Sequence, residues 1–289
     1  MILDKVLGIE LPSIEHTISE KDCILYSLGI GLGMEPVSSS QLQFVYEDGL
    51  VVFPSQSVVI AHPGAWVTRP ELEINWLKLL HGEQAITQHK PLSPGSTYVG
   101  NYRVLGVVDK GAEKGSILYQ EKTLSDKLSG DLVSTVTSSY FMRGDGGCGS
   151  SGYQPETARP VPERDADEVV EIPTAPNSAL IYRLSGDYNP IHADPVKAAK
   201  AGFERPILHG LCSFGIATRA VLETCCDNDP RCLGSLGLRF SKPVYPGETI
   251  VVSIWRESDD VRFSAKVKER DIRVLDQGWA TVKSFGGSQ

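Results

Sequence analysis

Residues 182–192 read Tyr-Arg-Leu-Ser-Gly-Asp-Tyr-Asn-Pro-Ile-His, which sets a carboxylate, Asp187, five positions before an imidazole, His192. On a straight helix that spacing sends the two side chains to different faces. The local residues argue against a helix. Gly186 admits unusual dihedrals, and Asn189, ahead of Pro190, is pushed out of the α region. A tight irregular turn can therefore aim both groups at one spot, where an acid and a base handle a water molecule between them. Either residue alone would read as part of an Asx-type turn. The residues after the turn shift the balance. Asp194, Pro195 and Gly202 supply the N-cap, first position and stop of a short helix. A loop through Arg205-Pro206 then reaches His209-Gly210 and opens onto residues 211–222, which are apolar nearly all round and so are expected to be buried. The first turn of that helix carries free backbone N–H groups near Gly210, a site for an oxyanion or a polarised carbonyl.

Outward from this stretch the chain repeats itself. Lys90-Pro91-Leu92-Ser93-Pro94-Gly95-Ser96-Thr97 aligns with Lys242-Pro243-Val244-Tyr245-Pro246-Gly247-Glu248-Thr249, an offset of 152 residues (242 − 90). Leu25-Tyr26-Ser27-Leu28-Gly29 echoes Ile181-Tyr182-Arg183-Leu184-Ser185 at an offset of 156 (181 − 25). Two matches at nearly one offset indicate a duplicated unit. The copies differ where chemistry is concerned. Where the second continues Gly186-Asp187-Tyr188-Asn189-Pro190-Ile191-His192, the first has Ile30-Gly31-Leu32-Gly33-Met34-Glu35-Pro36, with no Asp and His in the corresponding places.

Over Tyr182–His192 and on through His209-Gly210 the chain resembles the signature of the (R)-specific enoyl-CoA hydratases, the hydratase 2 and MaoC-like group. It is similar to the hydratase unit of peroxisomal multifunctional enzyme type 2. The resemblance implies an α+β double hot-dog fold, two tandem repeats in which an antiparallel sheet wraps a central helix. The first repeat is expected over residues 1–143, without catalytic groups and widening the acyl cavity. A linker over 144–168 and a catalytic repeat over 169–289 complete the plan. The implied activity is reversible hydration of a trans-2-enoyl-CoA to the (R)-3-hydroxyacyl-CoA, with no cofactor and no metal. By the same resemblance Asp187 and His192 activate water, the Gly210 amide polarises the thioester carbonyl, and Asn189 braces the loop or the thioester region. Substrate contacts are expected from His81, Gly82, Lys110 (toward the CoA phosphates), Tyr188 and Phe240. His16, His62 and His89 read as ordinary surface or packing residues.

The rest of the chain sets bounds. Strand-like runs fall at residues 97–108, 116–124 and 132–142, and residues 22–31 read as a short helix. Phe53-Pro54 and Val58–Ile60 suggest an extended segment and a turn. The Gly29, Gly31 and Gly33 series has no strand before it, so it is no dinucleotide loop. Residues 144–167, rich in Gly and Pro, read as a surface linker. The formal charge of −8 over 289 residues argues against nucleic-acid or anionic-membrane partners, leaving the enoyl-CoA and a homodimer as expected partners. Six cysteines without paired metal spacing read as reduced thiols. No apolar run spans a membrane, no signal-peptide pattern stands at the start, and residues 286–289 do not match a Ser-Lys-Leu address. A cytoplasmic protein is the expectation. Rival functions are an enoyl-CoA hydratase for a bulky, steroid-bearing acyl chain, a hot-dog thioesterase, a carrier-protein dehydratase and a silent acyl-CoA-binding module.

Overall fold

A computed structural model describes residues 1–35, 38–156, 159–257 and 260–283. Pro36, residues 157–158 of the expected linker and residues 286–289 lie outside the described residues. In the first half, helix α1 (Leu3–Leu7) and strand β1 (Ile14–Thr17) precede helices α2 (Glu20–Gly29) and α3 (Ser39–Leu42). Strands β2 (Leu79–Gln88), β3 (Thr97–Asp109), β4 (Ser116–Asp126) and β5 (Leu132–Met142) come next. The second half runs β6 (Glu168–Pro173), α4 (Ser178–Tyr182), α5 (Pro195–Lys200) and α6 (Gly210–Cys225). It ends in β7 (Leu233–Phe240), β8 (Thr249–Glu257), β9 (Asp260–Val267) and β10 (Ile272–Val282).

All ten strands join one antiparallel sheet in the order β1-β3-β4-β5-β2-β7-β10-β9-β8-β6. The order of the second half mirrors that of the first, and the halves meet edge to edge at β2 and β7. Pairing there closes two edges that would otherwise stay open to aggregation. Ala85 pairs with Gly237, a separation of 152 residues (237 − 85), so the repeat's own equivalents face each other at the seam. The two Pro-Gly octets occupy equivalent places, between β2 and β3 and between β7 and β8. This is the double hot-dog architecture.

Helix α6 is the central helix of the second half. Its side chains at Cys212, Phe214, Ile216, Ala217, Ala220, Val221 and Leu222 are buried, each of the larger ones contributing roughly 1.5–3 kcal/mol of apolar burial. Arg219 lies buried in this helix because its guanidinium donates to Glu223 Oε1 at 2.7 Å and to the Gly31 carbonyl at 2.6 Å, which ties α6 to the first half. A buried charge is tolerated only when so paired.

Two expectations need correction. Phe53-Pro54 and Val58–Ile60, read as an extended segment and a turn, instead frame a 3₁₀ helix, Pro54–Val58, started by a proline at its first position. It packs on α6, β2 and β5, where the first half would otherwise carry a long helix of its own. Cys226 and Cys232, read as reduced, form a disulfide across the turn after α6, their Cα atoms 5.5 Å apart. The turn folds the chain back far enough to bring six-residue neighbours together, which spacing alone did not reveal. No helix among the described residues is long and apolar enough to cross a membrane.

Candidate active site

The turn after α4 is held by its own short polar side chains. Gly186 takes φ +121°, which a side chain would strain. Asp187 Oδ1 accepts the Asn189 amide at 3.1 Å, and Asn189 Oδ1 accepts the Ile191 amide at 3.2 Å. These successive Asx turns lead into a single 3₁₀ turn, Pro190–His192. The result places Asp187 Oδ2 3.9 Å from His192 Nε2, with the carboxylate half exposed and the imidazole buried. Asp194 then caps α5 through the Val196 and Lys197 amides, with Pro195 at the first position.

The hydrogen bonds fix the imidazole. His192 Nδ1 lies 2.8 Å from the Ile207 carbonyl, which can only accept, so the proton sits on Nδ1 and Nε2 offers its lone pair toward Asp187. His209 Nε2 donates to the Asp187 carbonyl at 3.1 Å, which leaves His209 Nδ1 buried with no partner among the described residues. The two imidazoles stack with centroids 3.6 Å apart and planes at 24°, and the Tyr182 ring lies 5.0 Å from His209. Burial lowers the His192 pKa, and burial together with the neighbouring His192 takes His209 down to about 4. Both rings are therefore neutral at pH 7, and a neutral His192 is a base. Ligand atoms of Asp187, His192 and His209 fall within 4.8 Å of one another.

The start of α6 faces this group. His209 is the N-cap, and its carbonyl accepts the Cys212 and Ser213 amides. The Gly210 and Leu211 amides precede the first intrahelical bond and so remain free to donate. A Cβ on Gly210 would meet the Phe240 ring at 3.4 Å, so Phe240, the last residue of β7, covers the helix start. The His81 ring lies edge-on to Phe240 at 4.9 Å and 5.3 Å from Tyr140. The fold thus gathers Gly210, Phe240 and His81. The remaining expected substrate contacts are placed as follows. Gly82 sits at a register shift between β2 and β5, where a Cβ would come 2.9 Å from Ser139 Oγ. Tyr188 is exposed, with the Arg183 guanidinium 5.0 Å from its ring centroid. Lys110 lies in the β3–β4 hairpin, its amide bonded to the Gly115 carbonyl.

Residues that sequence reasoning passed over complete the site. His209 stood in the quoted His-Gly pair but received no role. Beyond His81 lies a cavity of about 30 Å³, and only Val58, Val136 and Leu211 of its eleven lining residues are aliphatic. Gln120, Lys122 and Tyr140 line it, and so does His62. The Lys122 ammonium is buried and donates to the carbonyls of Ser57, Val58 and Ile60 at 2.6, 3.2 and 2.7 Å. Burial draws the Lys122 pKa to about 7 and that of His81 to about 4, and pushes Tyr140 up to about 12. The signal was present in the sequence. In β4, Leu118, Gln120, Lys122 and Leu124 alternate along the buried face, and two of the four are polar.

A neutral imidazole and a carboxylate, set beside a free helix N-terminus inside two fused hot-dog repeats, place the chain in the class of MaoC-like double hot-dog proteins. Comparison with known proteins narrows this further. The family model for the MFE-2 hydratase 2 N-terminal domain matches residues 16–144, and that for the MaoC like domain matches residues 157–277. The chain is 36% identical over 302 residues to peroxisomal enoyl-CoA hydratase 2 of Arabidopsis thaliana, covering 99% of this chain and 96% of that protein. It is 35% identical to peroxisomal multifunctional enzyme type 2 of Mus musculus, over 97% of this chain and 38% of the mouse protein. The crystal structure of a MaoC-like dehydratase from Phytophthora capsici superposes with a TM-score of 0.86 at 35% identity, over 97% of this chain and 98% of that one. The chain belongs to the MaoC-like hydratase 2 family.

Proposed function

We propose that the protein reversibly hydrates trans-2-enoyl-CoA thioesters to (R)-3-hydroxyacyl-CoA. The observation that carries this reading is the placing of His192 Nε2, bare of a proton and 3.9 Å from Asp187 Oδ2, beside the open N-terminus of α6. A gap of that width is bridged by one water molecule bonded to both groups. His192 takes a proton from the water as its oxygen bonds to C3. Electron density moves to the thioester oxygen, where the Gly210 amide stabilises the enolate. The proton taken up by His192 then passes by way of the Asp187 carboxylate to C2, which leaves both groups as they began. Asn189 holds the Asp187 turn, while His81 and Phe240 line the approach to the thioester. In this scheme the first half supplies acyl and CoA contacts, and the second half supplies the acid and base. The name of the Arabidopsis relative, enoyl-CoA hydratase 2, supports the reaction type. A thioesterase has no need of a paired acid and base aimed at an alkene.

The test is hydration of crotonyl-CoA and trans-2-decenoyl-CoA, monitored as loss of the enoyl thioester absorbance, with chiral analysis of the product. Formation of the (R)-alcohol is expected. Release of free CoA without hydration would overturn the reading.

A further inference from the structure

His209 lies inside the site, and the hydration scheme gives it no part. Resting on the enoyl-CoA reading above, we propose that His209 is a positioning residue for that reaction, holding Asp187, His192 and the Gly210 amide in one fixed arrangement. It reaches each of the three by a different tie. Its Nε2 donates to the Asp187 carbonyl at 3.1 Å, and its ring stacks on that of His192 with centroids 3.6 Å apart. Its own carbonyl accepts the Cys212 and Ser213 amides and so begins α6. Gly210 is its direct chain neighbour, so the amide that polarises the thioester is set by the same cap.

The tie to Asp187 acts where the turn is least constrained. Gly186, at φ +121°, leaves the backbone ahead of Asp187 a wide choice of torsions. Among the described residues the half-exposed carboxylate accepts one hydrogen bond, from the Asn189 amide at 3.1 Å. A bond to the Asp187 carbonyl fixes the backbone torsion beside which that carboxylate projects. The His192 ring is held at an edge and on a face. The Ile207 carbonyl takes its Nδ1 proton at 2.8 Å, and His209, two residues further along the same segment, covers one face. Together these contacts set the 3.9 Å gap between Asp187 Oδ2 and His192 Nε2 in which the water is handled.

Packing alone does not call for an imidazole at this position. His209 is 1% exposed and lies against the rings of Tyr182 and His192. Its Nδ1 is buried with no partner among the described residues, and leaving an acceptor in that state lowers stability. An apolar ring would fill the same space without that penalty. What the imidazole adds is the donor at Nε2, and that donor goes to the Asp187 carbonyl.

The experiment measures crotonyl-CoA hydration in three variants whose folding is checked by circular dichroism. His209→Ala removes both side-chain ties, His209→Phe keeps an aromatic ring without the donor, and His209→Gln keeps an amide donor without the ring. His209→Ala is expected to lower kcat about 10²-fold, the loss that a displacement of about 1 Å can bring, and to change KM by less than about 3-fold. The Phe and Gln variants each retain one tie, so their kcat should fall between His209→Ala and wild type. If His209→Ala does not fold, those two decide the matter, each expected at least about 10-fold below wild type in kcat. Because His209 acts through the acid–base pair, adding His209→Phe to His192→Ala should lower kcat little further. Folded Phe and Gln variants with kcat within about 3-fold of wild type would overturn the proposal. So would a loss confined to KM, or one that multiplies in full on top of His192→Ala, as a general loosening of the fold would. Failure of wild type to hydrate crotonyl-CoA or trans-2-decenoyl-CoA would instead sink the hydratase reading itself, so the two failures are distinguishable.

Discussion

The two halves of this molecule share a strand plan and differ in what lies against it. In the second half α6 fills the concave face over sixteen residues and brings a free N-terminus to the Asp187–His192 turn. In the first half the corresponding place holds only the five-residue Pro54–Val58 turn. The carbonyls at its C-terminal end have no further helical turn to bond, and the Lys122 ammonium from β4 meets them. Beside this short element lies the cavity lined by Val58, His81 and Lys122. In the function proposed above, the second half supplies the chemistry and the first half the acyl and CoA contacts.

That division is broken most directly at the acid–base pair. Asp187→Asn and His192→Ala are each expected to lower kcat by about 10²–10⁴-fold with the fold intact by circular dichroism. Because both groups act on one water, the double variant should lose little more than the worse single one. Near-normal kcat in either folded single variant would remove chemistry from the second half.

The next largest effect is on stability in acid, and it draws on both halves. His81 in the first half and His209 in the second are both held near 4 by burial, against about 6.5 for an exposed histidine. Between those values the unfolded chain binds more protons than the folded one, so stability falls as pH drops from 6.5 to 4 and is insensitive to these groups above 6.5. Each contributes up to about 3 kcal/mol across that window. Urea midpoints measured at pH 7, 5.5 and 4.5 should decline steadily, and His209→Gln should flatten the slope. A midpoint independent of pH in wild type would contradict the buried neutral state of both rings. The acid limb of the hydration rate should likewise lie below that of an ordinary histidine, since burial also shifts His192 down.

A smaller effect is expected where the halves touch. Gly215 of α6 lies so close to the end of α2 that a Cβ would stand 2.5 Å from Ile30 Cγ2 and 3.2 Å from Tyr26 Oη. Gly215→Ala gains about 1 kcal/mol of helix propensity but overpacks a buried contact, typically at a cost of about 1–3 kcal/mol. A net loss of about 1 kcal/mol in denaturant unfolding is the expected outcome. A gain would mean that the contact between halves has room to relax.

Much of this was legible beforehand because the relevant signals are local. The Asx turns around Asp187 and Asn189, the cap at Asp194 and the apolar run of α6 are set by residues within a few positions, and so is the octet before β3 and β8. The missed features depend on distant partners. The Pro54–Val58 turn was hidden because a proline leading into Ser-Gln-Ser-Val starts a turn or an extended segment equally well, and packing against α6 decides between them. His209 gains its role only when the Asp187 carbonyl, twenty-two residues away, comes within 3.1 Å. Lys122 and Gln120 were visible as polar residues in a buried strand row, but their carbonyl and indole partners come from other segments.

The smallest effect tests the recognition half at its edge. Lys110 is expected to meet the CoA phosphates, yet it belongs to the β3–β4 hairpin rather than to the gathered site. That hairpin is firmly built. The Asp109 carboxylate accepts the amides of Gly111, Gly147 and Gly149 at 2.9 Å each, so it pins the glycine-rich segment against the turn and holds the backbone beside Lys110. A lysine side chain on a fixed base at the surface contributes little to binding, since exposed ion pairs are worth about 0.2–1 kcal/mol. Lys110→Ala should therefore raise KM for an enoyl-CoA by at most about 5-fold and leave kcat unchanged, because the phosphates bind ground state and transition state alike. The effect should shrink further at high salt, where exposed charges are screened. A KM unchanged at low salt would return Lys110 to the solvated surface. A drop in kcat would instead mean that the hairpin positions the reacting end, and the recognition half would then share in the chemistry.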